Sequence, residues 1–213
     1  MKVIKLVSNN YFSSNTYILE NSNNVLIVDL GFYDSNISTV LKKYNIVGVI
    51  LTHKHFDHIQ GLEEFQKEYP NVKIYTKENS DEFFINSELN CSKNMSINGE
   101  LDYKPFNLVY LKEGNVRIGN FNMNIIYTPG HTSDSITILL ESEGILFSGD
   151  FIFNNSIGRM DLPTSNRISM INSLTKIVPI LKKNNYVIYS GHDENEISSI
   201  SIFKENAYLK RFY

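Results

Sequence analysis

The residues with the greatest capacity for chemistry in this sequence are its five histidines. Three of them fall within one short run, His-Lys-His-Phe-Asp-His, which contains His53, His55, Asp57 and His58. One residue separates His53 from His55, so in an extended segment both imidazoles point to the same side. Imidazole and carboxylate together suit zinc, iron or manganese rather than calcium or magnesium. The run therefore predicts a transition-metal site.

The other two histidines and one aspartate occupy similar places further along the chain. His131, Asp150 and His192 each come just after a predicted strand, and a glycine precedes each of them. Strand ends at one edge of a sheet are where α/β proteins gather site residues, and glycine lets the backbone crowd around a centre. One histidine after a strand is usually a surface or hydrogen-bonded residue, but five in such positions favour metal binding.

Composition limits the class of protein. The chain has 213 residues and a net charge of −3, without the basic character typical of a nucleic-acid-binding protein. It has no apolar run near the ~18 residues that span a bilayer, so we expect no membrane partner. The lone cysteine, Cys91, excludes an internal disulfide and fits a reducing, cytoplasmic location. Cys91 has no histidine neighbour in the sequence, which favours a small buried hydrophobe over a nucleophile.

The elements that must position these residues follow from hydrophobic periodicity, and no linker divides them, so we expect one domain over residues 1–213. Two groups of strands with helices around them predict an α/β protein, a four-layer αββα sandwich with two sheets packed face to face. The predicted strands cover residues 2–8, 16–20, 25–29, 47–51, 72–76, 122–127, 135–141, 145–149 and 186–190. The predicted helices are one following an N-cap at Asp34 and others at 59–69, 78–85, 168–181 and 196–210, with a loop over 86–104.

The order of these motifs resembles the metallo-β-lactamase superfamily. The resemblance rests on His-x-His-x-Asp-His at 53–58, on Gly-His, Gly-Asp and Gly-His at 130–131, 149–150 and 191–192, and on Val-Asp-Leu-Gly at 28–31. It implies an αββα sandwich with a site for two divalent metal ions. Zinc is the first choice for these ions, and iron or manganese are the alternatives. In the family pattern one ion takes His53, His55 and His131, the other takes Asp57, His58 and His192, and Asp150 bridges the two.

Within the superfamily, the run Ser-Ile-Gly-Arg-Met-Asp-Leu-Pro at 156–163 looks like the glyoxalase II-like hydrolases. Those enzymes cleave small-molecule thioesters, typically of a hydroxyacyl group on glutathione. Only 21 residues follow His192. We therefore expect the short, bacterial-type branch, without the helical domain whose basic residues hold glutathione in the longer enzymes.

The resemblance implies hydrolysis by a metal-bridging hydroxide. This hydroxide forms at neutral pH because the two ions lower the pKa of the bound water to about 7. Asp57 is then the catalytic residue that orients the nucleophile and takes its proton while remaining a ligand. A thiolate leaves readily, because thiol pKa values lie near ~8.5. Arg159 is a candidate for binding a substrate carboxylate, and pairing with Asp161 is an equally good interpretation of that residue.

Other functions remain open. The nearest enzymatic alternative is a persulfide dioxygenase with one iron held by ligands of the His53, His131 and Asp150 kind, and residues 156–163 favour the hydrolase over it. A β-lactamase fits the same residues less well, the net charge disfavours a nuclease, and flavin-coupled di-iron reductases carry glutamate in place of His55. A non-catalytic metal-binding or sensing protein is disfavoured by the complete ligand set.

Overall fold

The strands form two six-stranded sheets, as the two groups of predicted strands indicate. The structure, a computed structural model, describes residues 1–8, 12–97 and 99–212. The chain divides into two compact units, Met1–Lys112 with Val116–Asn122 and Glu113–Asn115 with Met123–Tyr213. One domain over residues 1–213 stays a prediction.

The first sheet has its six strands in sequence order. The first three pair antiparallel and the last three continue the sheet in parallel. Parallel neighbours need crossover connections, and helices supply them here. The strands are β1 (Lys2–Leu6), β2 (Thr16–Asn21), β3 (Asn24–Val28), β4 (Asn45–Ile50), β5 (Ile74–Lys77) and β6 (Leu108–Leu111), and the helices of this part are α1 (Ser35–Leu41), α2 (Phe56–Ile59), α3 (Leu62–Glu68) and α4 (Ser92–Met95).

The core of the first unit lies between this sheet and its crossover helices. β3 is buried over its last four residues because both faces are covered, as its unbroken apolar sequence requires. α1 begins where predicted: the Asp34 carboxylate caps it by accepting from the backbone N–H groups of Asn36 and Ile37, both at 2.9 Å. Its buried side chains Ile37 and Leu41 join the cluster around β3.

The elements of the second sheet and its helices are β7 (Gly114–Ile118), β8 (Phe121–Tyr127), β9 (Ile136–Leu140), β10 (Ile145–Gly149), α5 (Arg167–Lys183), β11 (Val187–Ser190), β12 (Ile197–Ser198) and α6 (Ser199–Glu205). The strand order of this sheet is β12-β11-β10-β9-β8-β7. β10 and β11 are parallel neighbours, and the long helix α5 connects them. The buried face of α5 covers the core of the second unit. In the described part of the chain, no helix is long and apolar enough to cross a membrane.

Several predicted boundaries were wrong. The helix predicted at 59–69 is two helices, α2 and α3, because the Gly61 N–H donates to the Leu30 carbonyl at 3.0 Å. The Asp57 carbonyl, its partner in a continuous helix, accepts from the Ser14 N–H at 3.0 Å instead. The helix predicted at 196–210 is β12, α6 and a 3₁₀ turn, Leu209–Phe212.

Four further elements differ from the prediction. The helix predicted at 78–85 is a 3₁₀ turn, Asp81–Phe84, and the predicted loop at 86–104 contains α4, residue 98 lying outside the described residues. Strands β6 and β7 were not predicted.

Asn206, which is fully buried, explains why the last helix stops. Its Nδ2 donates to the carbonyls of Phe153 (2.8 Å) and Ser156 (2.6 Å), and its Oδ1 accepts from the N–H groups of Tyr208 (2.9 Å) and Leu209 (3.0 Å). A side chain that satisfies four backbone groups fastens the C-terminal segment to the loop that follows Asp150.

We expect Asn206→Ala to lower the free energy of unfolding by about 2–4 kcal/mol, because it leaves buried backbone groups without partners. Urea denaturation monitored by circular dichroism measures the change. Asn195→Ala is the matched control, since that side chain is exposed, and it should change stability by less than about 0.5 kcal/mol. Equal effects of the two substitutions would contradict this role of Asn206.

Candidate metal centre

The first unit brings together all four predicted ligands of the 53–58 run. His53, His55 and His58 are buried, with at most 4% of each side chain's surface exposed. His53 Nε2 lies 3.2 Å from His55 Nδ1, and the ring centroids of His53 and His58 are 4.1 Å apart. Asp57 Oδ2 lies 3.9 Å from His58 Nε2. Ligand atoms at these spacings are close enough to share metal ions.

The path of the backbone explains this convergence. After β4 the chain forms no helix as far as His55, whose own backbone is extended, and α2 then begins and turns Asp57 and His58 back. The loop after β3 packs directly beneath this turn: Leu30 N–H donates to the His58 carbonyl at 2.9 Å. Gly31 must be glycine, because a Cβ there would lie 2.4 Å from the Asp57 carbonyl oxygen.

Asp29 is the residue of this unit that the predicted site set omitted. Its buried carboxylate accepts from the Thr52 N–H and hydroxyl, both at 2.7 Å, and from His58 Nδ1 at 2.8 Å. A carboxylate that holds one imidazole nitrogen fixes the tautomer and leaves Nε2 to face a metal. The only sequence signal for this role was the position of Asp29 in the Val-Asp-Leu-Gly turn at 28–31.

In the second unit, His131, Asp150 and His192 come together at the ends of β8, β10 and β11. Asp150 Oδ2 lies 3.6 Å from His131 Nε2 and 3.4 Å from His192 Nε2, so one carboxylate oxygen faces two imidazoles. The Arg159 carbonyl lies 3.0 Å from His131 Nδ1. A carbonyl oxygen only accepts, so Nδ1 carries the proton and Nε2 is left as the coordinating nitrogen.

Gly158 allows the loop after β10 to pass close to these ligands. A Cβ at this position would lie 2.0 Å from the Asp150 carbonyl oxygen and 2.8 Å from the His131 Cβ. Only glycine fits there without displacing the backbone beside two predicted ligands.

Asp193 supports His192, and the sequence-based prediction omitted it as well. Its Oδ2 accepts from Asn154 N–H and from the Ser190 hydroxyl, both at 2.7 Å. These bonds fix the turn that carries His192, which is the most exposed of the five imidazoles, with 38% of its side chain accessible. Its adjacency to His192 was the only signal for this residue.

Arg159 forms a bidentate ion pair with Asp161, with both N···O distances at 2.7 Å. Both side chains are more than half exposed, so the pair adds little to stability. The structure thus contains the pairing that was one of the two interpretations of Arg159, and substrate binding by this residue stays a prediction. Cys91 is buried, as predicted for a small hydrophobe.

Comparison with known proteins places this arrangement in a family. A sequence model of the metallo-β-lactamase superfamily matches residues 10–192. The chain belongs to the metallo-β-lactamase superfamily.

Its relatives include metallo-hydrolases. The probable metallo-hydrolase YqgX of Bacillus subtilis is 28% identical over 93% of both chains. A hydroxyacylglutathione hydrolase of Francisella tularensis subsp. novicida is 26% identical over 100% of this chain and 77% of its own length.

The fold is similar to the crystal structure of BLEG-1 B3 metallo-β-lactamase, with a TM-score of 0.88 and 26% identity over 98% of this chain and 99% of that one. The predicted fold class, an α/β sandwich of the αββα type, is therefore confirmed. The superfamily is one of metal-dependent hydrolases, which agrees with the clustered histidines.

We expect Asp29→Asn to weaken metal binding about 10- to 100-fold, because it removes the charged acceptor that orients His58. Asparagine tolerates the left-handed backbone at this position, where φ is +54°. Competition with a chelating dye measures the affinity. Asp34→Ala is the control: it removes the cap of α1 and should lower stability while leaving metal affinity unchanged. If both variants bind metal as the parent does, the orienting role of Asp29 is wrong.

Proposed function

We propose that this chain is a thioester hydrolase that works with two divalent metal ions. In this proposal one ion is held by His53, His55 and His131, the other by Asp57, His58 and His192, with Asp150 between them. Zinc is the first choice for both ions, and iron or manganese are the alternatives.

The observation that carries the proposal is the position of Asp150. Its Oδ2 lies within 3.6 Å of both His131 and His192, which the family pattern assigns to different ions. A bridging ligand needs such a position, whereas a mononuclear site would leave one of the two imidazoles without a metal ion. This favours two ions over the single iron of a persulfide dioxygenase.

The donor set fits such ions. Five imidazoles and two carboxylates, with four of the imidazoles buried, match zinc and other first-row metals. Two of the imidazoles, those of His58 and His131, have Nδ1 held by an acceptor that leaves Nε2 for coordination. Seven donors also exceed the four of one tetrahedral site.

When bound, the ions would supply Lewis-acid polarisation of the substrate carbonyl and a water of lowered pKa. Asp57 is intermediate in burial, unlike the histidines around it. A partly accessible carboxylate next to the nucleophile's position can accept the proton released when water adds to the carbonyl. The thiolate then leaves without a strong general acid, since thiol pKa values lie near ~8.5.

Two features support a thioester as the substrate. The hydroxyacylglutathione hydrolase relative aligns with the whole of this chain. Residues 156–163 also carry the Gly-Arg-Met-Asp run that resembles thioesterases of this type. In our proposal the substrate is a small-molecule thioester. Arg159 breaks its ion pair with Asp161 and binds the carboxylate of this substrate.

The test is a substrate panel run on the freshly purified protein, with elemental analysis of the same sample. We expect about two metal ions per chain and release of thiol from hydroxyacyl thioesters, because seven donors serve two ions. The panel also contains a chromogenic cephalosporin, since the fold is so similar to that of BLEG-1, and a persulfide with oxygen uptake as the readout.

The other arms of the panel define failure. One iron per chain with persulfide-dependent oxygen uptake would replace the hydrolase by a dioxygenase. Cephalosporin hydrolysis without thioesterase activity would make the chain a β-lactamase. Two bound ions with no turnover of any substrate would favour a metal-binding or sensing protein.

We expect Asp57→Asn to reduce thioester hydrolysis by about 10²–10⁴-fold, because it removes the proton acceptor while keeping the size of the side chain. The assay is run over a range of metal concentrations, since weaker binding of one ion accompanies the loss. Ser133→Ala is the control: Ser133 is exposed, lies two residues after His131, and its substitution should keep full activity. Full recovery of Asp57→Asn at saturating metal would reduce Asp57 to a ligand only.

A further inference from the structure

The second unit contains a cavity of about 580 Å³ whose lining includes neither a predicted metal ligand nor Arg159. This volume lies within the range of small-molecule pockets, about 300–1,000 Å³. Apolar side chains from the loop after β10 and from α5 form most of its wall, among them Ile157, Met160 and Leu174. Such a wall suits an alkyl or acyl chain.

The charges at this cavity are all of one sign. Its charged lining residues are Arg167 and Arg211, and its remaining polar side chain is the phenol of Tyr208. Within the described residues, neither guanidinium takes part in an ion pair or hydrogen bond. Arg159, in contrast, is already paired with Asp161 at 2.7 Å. Two guanidiniums without a carboxylate beside an apolar wall are complementary to an anion with an apolar tail.

The position of Arg167 strengthens this interpretation. It is the first residue of α5, a 17-residue helix whose first turn contains no acidic side chain. The helix dipole places partial positive charge at this end, so acidic side chains are favoured there and a cation is disfavoured. A bound anion would compensate both the helix end and the guanidinium.

Exposed apolar surface points to the same cavity. Ile171 and Tyr208 both line it, and they are 51% and 42% exposed. Large apolar side chains that remain open to solvent in one place are typical of ligand-binding grooves.

We propose that this cavity binds an amphiphilic anion. An alkyl or acyl chain lies against Ile157, Met160 and Leu174, and its carboxylate or phosphate head accepts from Arg167 and Arg211. None of the predicted metal ligands lines this cavity, so binding there does not require a metal ion.

Isothermal titration calorimetry on the full chain as purified tests this site. The probes are decanoate, decyl phosphate, decanol and acetate. We expect one equivalent of decanoate or decyl phosphate to bind, with decanol and acetate each weaker by about 10- to 100-fold, since each lacks one half of the recognition. The tighter of the two anions identifies the head group as carboxylate or phosphate.

Two variants locate the binding. Arg167→Ala/Arg211→Ala should weaken binding of the anion about 10- to 100-fold. Ile171→Trp should weaken it as well by filling the cavity, and its exposed position lets the protein fold. Lys43→Ala/Lys73→Ala removes the same charge from exposed positions in the first unit and is the matched control.

Three results would overturn the proposal. The first is that the double arginine variant binds decanoate as tightly as the parent, which would place the anion elsewhere on the protein. The second is that decanol binds as tightly as decanoate, which would leave the guanidiniums without a role. The third is that neither decanoate nor decyl phosphate binds. None of these results affects the hydrolase proposal, because no turnover is measured.

Discussion

The hydrogen bonds that Asp29 accepts govern the geometry of the first unit's predicted metal ligands. This buried carboxylate holds Thr52, just before the first histidine of the run, and His58, the last one. Both ends of the run are therefore fixed to one group, and each charged hydrogen bond of this kind contributes about 1.5–3 kcal/mol. Because the anchor sits on the loop after β3, the parallel pairing of β3 with β4 is what brings it within reach.

The second unit holds its predicted ligands differently. They come from three separate strand ends, and each has its own support: the Arg159 carbonyl for His131, Asp193 for His192, and the close passage of Gly158 for Asp150. A contiguous run needs one anchor, whereas dispersed ligands need several. The loop at 156–163 serves two of the three, so its conformation matters more to this unit than that of any other loop described above.

Residue type and local periodicity predicted most of the strands and singled out the histidines that the structure brings together. The strands that precede the predicted ligands are rich in apolar residues, and histidine is rare enough here that its placement is informative. Asp29 escaped the site prediction because its partners are 23 and 29 residues away in sequence. The end of α6 at Asn206 depends on hydrogen bonds to carbonyls about 50 residues earlier, which local sequence does not reveal. Strand β6 was missed because it is short and leaves the apolar side chain of Tyr110 exposed, so its sequence lacks the burial pattern of a strand.

Gly158 has a consequence for how proteins with this loop can diversify. The position is closed to every side chain, because the backbone of Asp150 and the base of His131 occupy the space. Its neighbours Ile157 and Met160 instead point to a cavity that has room for change. We therefore expect substitutions of Gly158 to be poorly tolerated and substitutions of Ile157 and Met160 to be better tolerated. Selection could then alter what the protein recognises while the ligand spacing is inherited intact.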